Sequence, residues 1–340
     1  MSNAIIYNSP VTLKILAARL KMSVSTVSKA LNDYPTINEY TRVRVKQMAE
    51  ELNFTPNKSA LDLKGRKSHR IGVILPDLSD QYFLRSVMEM ENLALLQGYN
   101  LIIGQSNDHL SKEIEQTNMF LKSRVDGLIV AVSKETKDLN HFTPFEKLGI
   151  PVVFYGRNPS LDSSCHKVLG NTFKGSYDAT EFLIHKGHRE IAYIGGPRDV
   201  NFTHDRFRGY INALRDYEIP FHAERVIYTD FSRGETSKAI RSFSETASTA
   251  LVAFKEPIVF EAIKHCRSII GGHAVDFIGF GNAKFIDYLD NPPIASIEEY
   301  PELIGENAFN LLFKLINKEI ADKAYQKVTV ECKLVVHHQK

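Results

Sequence analysis

The stretch SVSTVSKALN, residues 23–32, holds four small hydroxyl residues, two valines, one lysine and no acid. Val27, Ala30 and Leu31 follow the i, i+3, i+4 spacing of an apolar helix face, and Ser23 is suited to cap the first turn. The opposite face carries small and basic side chains, namely Val24, Ser25, Ser28 and Lys29. The pattern therefore predicts a short helix with one packing face and one small, polar face that is free for contact.

Two further short helices are predicted beside this stretch. Thr12 can cap LKILAARL, residues 13–20, and a third helix is predicted from about Asn38 to Leu52. This arrangement indicates a helix-turn-helix, whose second helix enters the major groove of DNA. Small side chains there let the backbone approach the bases, while hydroxyls, valine methyls and a lysine can contact phosphates, thymine and guanine. A generic three-helix bundle, the alternative interpretation, needs none of these side chains.

The charge of the chain is unevenly distributed. Residues 1–67 carry eleven Lys and Arg against five acids, so this segment has a charge of +6. The whole chain has a net charge of +2, so the remainder is slightly acidic. A basic head on an acidic body suggests a polyanion as partner of the head. On charge alone, a solvated charged surface explains the head equally well.

A linker follows the head in NFTPNKSALDLKGRKSHRIGVILPD, residues 53–77. Pro56 ends the preceding helix, and NKSALDLK is long enough for two helical turns at most, which is marginal in water. GRKS is a basic linker, and RIGVILPD begins a buried strand. A marginal helix between a DNA-reading head and a large body is expected to fold on DNA.

The body alternates apolar strands with helical stretches from residue 70, and the alternation restarts after residue 168. Such alternation predicts parallel sheets with helices on both faces, and two runs predict two lobes. Ligands of open α/β sheets bind beyond the carboxyl ends of the strands. Between two lobes, that rule predicts a small-molecule cleft near six residues: Tyr82, Ser133, Gly156, Arg206, Phe254 and Gly281.

The composition of the 340-residue chain excludes several classes of protein. No apolar run reaches the roughly 18 residues that a membrane span needs, and the N-terminus lacks an apolar signal core. The three cysteines, Cys165, Cys266 and Cys332, are odd in number and far apart, which fits reduced thiols in the cytoplasm. His185-x-x-His188 has a spacing that could hold a metal, but Gly187 interrupts it, so no metal or cofactor is expected.

In their order along the chain, these segments resemble the lactose-repressor (LacI/GalR) family of bacterial transcription regulators. The similarity is carried by VTLKILAARLKMSVSTVSKALN, the hinge PNKSALDLK, RIGVILPDLSDQYF, VDGLIVAVSKE, LIHKGHREIAYIGGP, DFIGFGN and PPIASIEEYPELIGENAFNLL. The resemblance implies an all-α helix-turn-helix head on a two-lobed α/β body like that of periplasmic binding proteins, with parallel sheets.

The resemblance also implies domain boundaries. The DNA-binding head is expected at residues 1–54, the hinge helix and linker at 55–69, and the effector-binding and dimerisation domain at 70–340. Within that domain, the N-terminal lobe is expected at about 70–168 and 295–322. The C-terminal lobe is expected at about 169–294 and 323–340.

On the DNA side, the resemblance implies that Val24 and Ser25 occupy variable base-reading positions. Lys29 stands where most members have an arginine that reads guanine, and lysine lacks the rigid guanidinium fork. Ala60 and Leu63 occupy hinge positions, and Leu63 resembles the wedge that enters the minor groove. Leu63 packing on its own head is the alternative. The other residues expected at the DNA are Thr12, Ser23, Thr26, Ser28, Asn32, Asn57 and Lys64.

In the cleft, Arg206 within DRFRGY matches the arginine that grips the ligand in the family. Tyr82 and Phe83 match a position where an aromatic ring stacks on the ligand. Gly156 and Gly281 stand where the family usually has aspartates. The usual Asn-Asp pair after TALVA is here Phe254 followed by Lys255.

These departures give the cleft fewer acids and place Arg157 and Lys255 beside Arg206. Because arginines suit carboxylates and phosphates, the expected effector is a sugar acid or a sugar phosphate. Two alternatives remain open: a neutral sugar bound in another way, and an arginine and a lysine that simply face solvent.

Three classes of function are compatible with these patterns. The first is an operator-binding regulator, expected to be a homodimeric repressor controlled by a small effector, or a regulator that has lost effector response. The second is a solute-binding protein of transport, which needs a signal peptide and no DNA head. The third is an α/β enzyme, which needs a nucleophile or base in the cleft. No GxSxG, P-loop or HExxH motif is present.

Overall fold

The structure is a computed structural model that describes residues 11–52, 54, 67–157, 164–198, 200–269, 275–321 and 324–337. The chain divides into two compact units, Met1–Ser68 and His69–Lys340. Each unit is described by itself below.

The head unit contains three helices: α1 Leu13–Leu20, α2 Val24–Leu31 and α3 Glu39–Glu51. Their core is formed by Leu16, Ala17, Leu20, Val27, Ala30, Val45 and Ala49. Lys21 ends α1 in the left-handed conformation, and its backbone N–H donates to the carbonyl oxygens of Ala17 and Ala18. This sharp ending turns the chain directly into α2, so the predicted helix-turn-helix is confirmed.

The body unit contains two six-stranded sheets. The strands are β1 Arg70–Leu75, β2 Asn100–Gln105, β3 Gly127–Val130, β4 Val152–Tyr155, β5 His166–Gly170, β6 Ile191–Gly195, β7 Val226–Tyr228, β8 Ala250–Ala253, β9 Asp276–Phe280, β10 Ala295–Glu298, β11 Lys327–Val330 and β12 Lys333–Val336. The first sheet has the order β11-β5-β4-β3-β1-β2 and the second the order β12-β10-β9-β8-β6-β7. Central strands such as β3, β6 and β8 are fully buried, while the edge strands are partly exposed. Within the described residues all pairs are parallel except β10 with β12.

Helices cover both faces of each sheet. They are α4 Gln81–Leu96, α5 Leu110–Lys122, α6 Thr143–Lys147, α7 Thr172–His185, α8 Asn201–Asp216, α9 Arg233–Ser244, α10 Glu256–Ile269 and α11 Pro301–Ile316. Helices α4, α5, α6 and α11 form the first lobe with the first sheet, and α7 to α10 form the second lobe with the second sheet. Helices α4 and α11 approach each other closely at Gly305, where an added Cβ would overlap the carbonyl oxygen of Ser86 on α4.

The chain crosses between the lobes at slightly different places from those expected. Strand β5 keeps residues up to Gly170 in the first sheet. Strand β10, expected in the first lobe, pairs with β9 in the second sheet, with Ala295 opposite Ile278. Strand β11, expected in the second lobe, pairs with β5 in the first sheet. The observed crossings therefore come several residues after the expected boundaries of 168, 295 and 323. Each of β5, β10 and β11 first pairs with a strand of the sheet that the chain is about to leave.

The described helices include none that is both long and apolar enough to cross a membrane.

Candidate DNA-binding surface and effector cleft

The start of α2 is fixed by hydroxyl groups that serve the helix itself. The Ser23 Oγ accepts the backbone N–H of Thr26 at 3.0 Å and lies 2.8 Å from the Thr26 Oγ1. The Thr12 Oγ1 accepts from the backbone N–H of Ile15 in the same way, at 3.3 Å. Among the predicted DNA-binding residues, Ser23 and Thr12 therefore act as helix caps within the head, and Thr26 is the hydrogen-bond partner of Ser23.

The exposed face of α2 is formed by other residues of the predicted set. Val24 is 41% exposed, and Ser25 and Lys29 are exposed as well, while Val27 and Ala30 on the opposite face are buried. The Asn32 side chain donates to the carbonyl oxygen of Ser28 at 2.7 Å, which closes the end of the helix. The helix thus presents one short apolar side chain, one hydroxyl and one ammonium group to the outside.

The predicted hinge residues Asn57, Ala60, Leu63 and Lys64 lie outside the described residues. Their roles remain predictions.

An ion pair that the sequence did not reveal lies at the turn after α2. The Lys46 Nζ on α3 lies 2.7 Å from the Asp33 Oδ1, and this hydrogen-bonded lysine holds the pKa of Asp33 below its ordinary value. Asp33 has a positive φ of 53°, an uncommon conformation for a residue with a side chain. Lys46 therefore contributes to the shape of the head, although the sequence suggested only a general basic charge.

In the body, the predicted effector residues lie at the carboxyl ends of strands or on helices that follow them. Tyr82 and Phe83 begin α4 after β1, Gly156 and Arg157 follow β4, and Arg206 lies on α8 of the second lobe. Three further residues follow β3, β8 and β9, namely Ser133, Phe254 and Gly281. The guanidinium of Arg157 lies over the Phe83 ring and that of Arg206 over the Phe254 ring, at 5.5 and 4.1 Å.

Ser133 is buried in the loop that follows β3. Its hydroxyl lies 2.8 Å from the Thr136 Oγ1, and its backbone N–H donates to the Glu113 Oε2 at 2.5 Å. Glu113 is itself fully buried and also contacts the His141 Nε2 at 2.8 Å. These groups shape the loop after β3, and the Ser133 hydroxyl is engaged within that loop.

Arg206 contacts two aromatic rings, a carbonyl oxygen and a carboxylate. Its guanidinium lies over the rings of Phe254 and Phe280, and its Nη1 donates to the carbonyl oxygen of Phe254. Its Nη2 donates to the Glu299 Oε1 at 2.6 Å. Its Nε is buried and has no hydrogen-bond partner among the described residues. Burial raises the pKa of Glu299, although Arg206 opposes this effect.

Arg157 has a similar environment at the boundary of the two lobes. Its Nη2 donates to the Asp108 Oδ2 at 3.2 Å, and its Nη1 donates to Asp108 and to the Val132 carbonyl oxygen. Its guanidinium also lies 4.5 Å from the ring centroid of Phe202 in the second lobe. Burial favours a higher pKa for Asp108, but the Arg157 guanidinium holds that pKa below its ordinary value.

These contacts correct the charge balance expected from the sequence. Asp108, after β2, and Glu299, after β10, are counter-ions for Arg157 and Arg206 that were not considered at the sequence level. Lys255 is partly buried, its Nζ lies 4.6 Å from the Phe231 ring centroid, and burial lowers its pKa. Two of the three cations are therefore already paired, which removes the surplus positive charge on which an anionic effector was expected.

The two cleft glycines also differ from the expected aspartates in backbone conformation and in the space around them. Gly156 has a φ of +69°, and a Cβ there would lie 2.9 Å from the Tyr82 hydroxyl oxygen. Gly281 has a φ of +116°, and a Cβ there would lie 3.0 Å from the Glu256 Oε2. Tyr82 and Glu256 therefore fill the space in which side chains at these positions would begin. Burial raises the pKa of Glu256 to about 7.

One hydrogen bond joins the two lobes beside Arg157. The Lys134 Nζ of the first lobe donates to the carbonyl oxygen of Asp230 in the second, at 2.9 Å. The backbone N–H of Lys134 donates to the Asp108 Oδ1 at 3.0 Å. Asp108 thus accepts hydrogen bonds from both the Arg157 guanidinium and the loop that reaches across the cleft.

The family described as bacterial regulatory proteins, lacI family, matches residues 12–57. The family described as periplasmic binding proteins and sugar binding domain of LacI family matches residues 68–338. The chain belongs to the LacI family.

Curated members of the LacI family resemble the chain over nearly its whole length. Catabolite control protein A of Priestia megaterium is 27% identical over 319 residues, which are 92% of this chain and 95% of that protein. The transcriptional repressor PurR of Actinobacillus pleuropneumoniae serotype 5b (strain L20) is 28% identical over 324 residues, covering 94% and 95%. Among solved structures, the lac repressor dimer bound to operator and the anti-inducer ONPF has a TM-score of 0.83 at 21% identity, covering 96% of this chain and 98% of that one. That likeness concerns the fold.

Proposed function

We propose that this LacI-family regulator binds a two-fold operator as a homodimer and represses transcription. A small polar ligand in the cleft between the lobes would control its operator affinity. The observation that carries this proposal is the surface of α2, where Val24, Ser25 and Lys29 are exposed while Val27 and Ala30 are buried. The structure of the lac repressor, which has a similar fold, contains both operator and a small anti-inducer.

The DNA part of the proposal follows from the chemistry of α2. A methyl group, a hydroxyl and an ammonium at the start of a helix can read base edges in the major groove. A symmetric dimer reads a pseudo-palindrome, because the two heads face two half-sites. The protein would act in the cytoplasm, where bacterial DNA lies.

The test uses the full chain and a random duplex library from which bound DNA is selected and sequenced. We expect a pseudo-palindrome, and Lys29→Ala should relax the choice at one base pair per half-site, at a cost of about 1–3 kcal/mol. Lys122→Ala, which removes an exposed lysine from α5 of the body, is the matched control. Equal losses on every sequence would mean that Lys29 contacts only phosphate, and the absence of any selected sequence would contradict the proposal.

The ligand part of the proposal concerns a sugar-sized, hydroxyl-bearing molecule. Aromatic rings beside the two arginines and the nearby Tyr82 would suit such a ligand. A second candidate, a regulator without effector response, is favoured by one observation. Both cleft arginines already have carboxylate partners within the chain. A thermal-shift screen with neutral sugars, sugar acids and sugar phosphates separates the two candidates.

A further inference from the structure

The Arg206–Glu299 pair is the feature of the cleft that the proposed function does not explain. A ligand-gripping arginine is expected to keep its hydrogen-bonding edge available. Here the Nη2 is bound to the Glu299 Oε1 at 2.6 Å, and both residues are 8% exposed. The carboxylate comes from the same chain and lies where the chain crosses from the second lobe to the first.

We propose that Glu299 is a specificity residue of the cleft, which occupies the Arg206 guanidinium and thereby excludes ligands that would bind it through a carboxylate or phosphate. This inference rests on the proposed function, because it assumes that the cleft receives an effector. On this inference the cleft rejects anionic effectors, whereas the sequence predicted that it binds one.

The hydrogen-bond donors of Arg206 support the exclusion of anions. A strong guanidinium–anion contact uses two parallel N–H groups on one edge. The Nη2 is bound to Glu299 and the Nη1 to the Phe254 carbonyl oxygen, while Phe254 and Phe280 lie against the guanidinium faces. Both edges of a guanidinium that offer two parallel N–H groups include the Nη2. An anion bound in that way must therefore compete for the nitrogen that Glu299 already holds.

The charges around Arg206 act in the same direction. Asp80 and Glu298 are close enough to interact electrostatically with Glu299, so an anionic ligand would join three carboxylates. Glu298 is partly neutralised by Arg85, whose Nη2 lies 3.6 Å away, and Arg85 is also bound by Glu302. An anion at Arg206 would therefore meet repulsion as well as competition from Glu299.

The backbone holds Glu299 in this position. Strand β10 ends at Glu298, whose Oε1 accepts the backbone N–H of Tyr300 at 2.9 Å and whose Oε2 accepts from the Asn282 side chain at 3.0 Å. Tyr300 adopts a positive φ of 50° before α11 begins. Glu299 is thus fixed between an anchored strand end and a helix, and its carboxylate is preorganised for Arg206.

The experiment tests whether Glu299 occupies an anion site, with formate as the probe. Thermal unfolding of the full chain is followed in sodium formate and in equal concentrations of sodium chloride. Glu299→Ala should leave space for formate beside Arg206, so formate should raise its Tm by a few degrees over chloride. The wild type should show no such difference, because Glu299 already fills the site.

Two control variants define the site. Glu302→Ala removes a nearby carboxylate that binds Arg85 instead, and it should not gain formate stabilisation. Glu299→Ala combined with Arg206→Met should lose that stabilisation. If Glu299→Ala does not fold, Glu299→Gln takes its place and should show a smaller formate effect of the same kind.

Several outcomes would overturn the inference. They are equal formate stabilisation of the wild type, no formate effect in either Glu299 variant, and an effect that persists without Arg206. The DNA selection described above is independent of this result. If formate behaves as expected but no operator is selected, the proposed function fails and the occupancy of Arg206 by Glu299 stands.

Discussion

At the scale of single residues, the cleft is governed by buried charges that are satisfied within the chain. Arg206 has Glu299 and Arg157 has Asp108, and aromatic rings lie against both guanidiniums. A buried ion pair adds little net stability over apolar residues, but removal of one partner leaves an uncompensated charge. The small net stability expected of a buried pair agrees with the selectivity proposed for Glu299 and Arg206.

This view predicts the effect of breaking the pair. Arg206→Met should lower the free energy of unfolding by about 3–5 kcal/mol, because Glu299 would be left buried without a counter-ion. Adding Glu299→Gln should restore part of that loss, since the second change removes the stranded charge. Urea denaturation of the two variants measures the difference. A double variant as unstable as the sum of the single changes would contradict this explanation.

Glu256 gives the stability a defined pH dependence. Burial raises its pKa from 4.5 to about 7 in the folded protein. Between these values the folded protein keeps a proton that the unfolded chain has lost, so its contribution favours folding at low pH and is lost as pH rises. Glu256→Gln should therefore gain Tm relative to the wild type from pH 5 to pH 8. A constant difference between the two Tm curves would refute this role of Glu256.

At the scale of elements, α2 combines two demands in eight residues. Its apolar side packs on α1 and α3, and its outer side must stay small and open. Propensity alone does not stabilise so short a helix, so tertiary packing and the caps decide it. Ser23 and Asn32 supply those caps from either end.

The contribution of the α2 N-cap to stability can be tested without a DNA-binding measurement. Ser23→Ala should destabilise the head by about 1 kcal/mol, because the backbone N–H of Thr26 loses its acceptor. Ser25→Ala, on the exposed face of the same helix, is the matched control and should leave stability nearly unchanged. Hydrogen exchange of the α2 amides in the full chain reports the change. Equal protection in both variants would exclude capping by Ser23.

At the scale of the whole molecule, polar contacts join the two lobes beside the cleft. Lys134 reaches Asp230 across the cleft, Arg157 meets Phe202, and Arg206 meets Glu299 at the crossing. These contacts lie beside Arg157 and Arg206, the two cleft arginines. The same contacts therefore bear on both ligand access and lobe closure.

The Lys134 contact should bias the lobes toward closure. Lys134→Ala removes its hydrogen bond to the Asp230 carbonyl oxygen, so the average radius of gyration should increase slightly in small-angle X-ray scattering. Lys137→Ala, an exposed lysine three residues further on, is the matched control. A radius of gyration that is unchanged by Lys134→Ala would show that this bond does not hold the lobes together.

The sequence by itself determined the helix-turn-helix and the two α/β lobes. Apolar periodicity, hydroxyl caps and near-continuous apolar strands are local signals, and each depends on residues a few positions apart. The carboxyl ends of parallel strands then indicated where Tyr82, Arg157, Arg206 and Phe254 would gather.

Only the tertiary structure decided the state of those residues. Glu299 lies 93 residues from Arg206 along the chain, and Asp108 lies 49 residues from Arg157. No local pattern pairs such residues, because the lobe crossings and strand ends that bring them together are set by packing of the whole body. Counting charges near the cleft therefore predicted an excess of cations, whereas the fold supplies each arginine with a carboxylate.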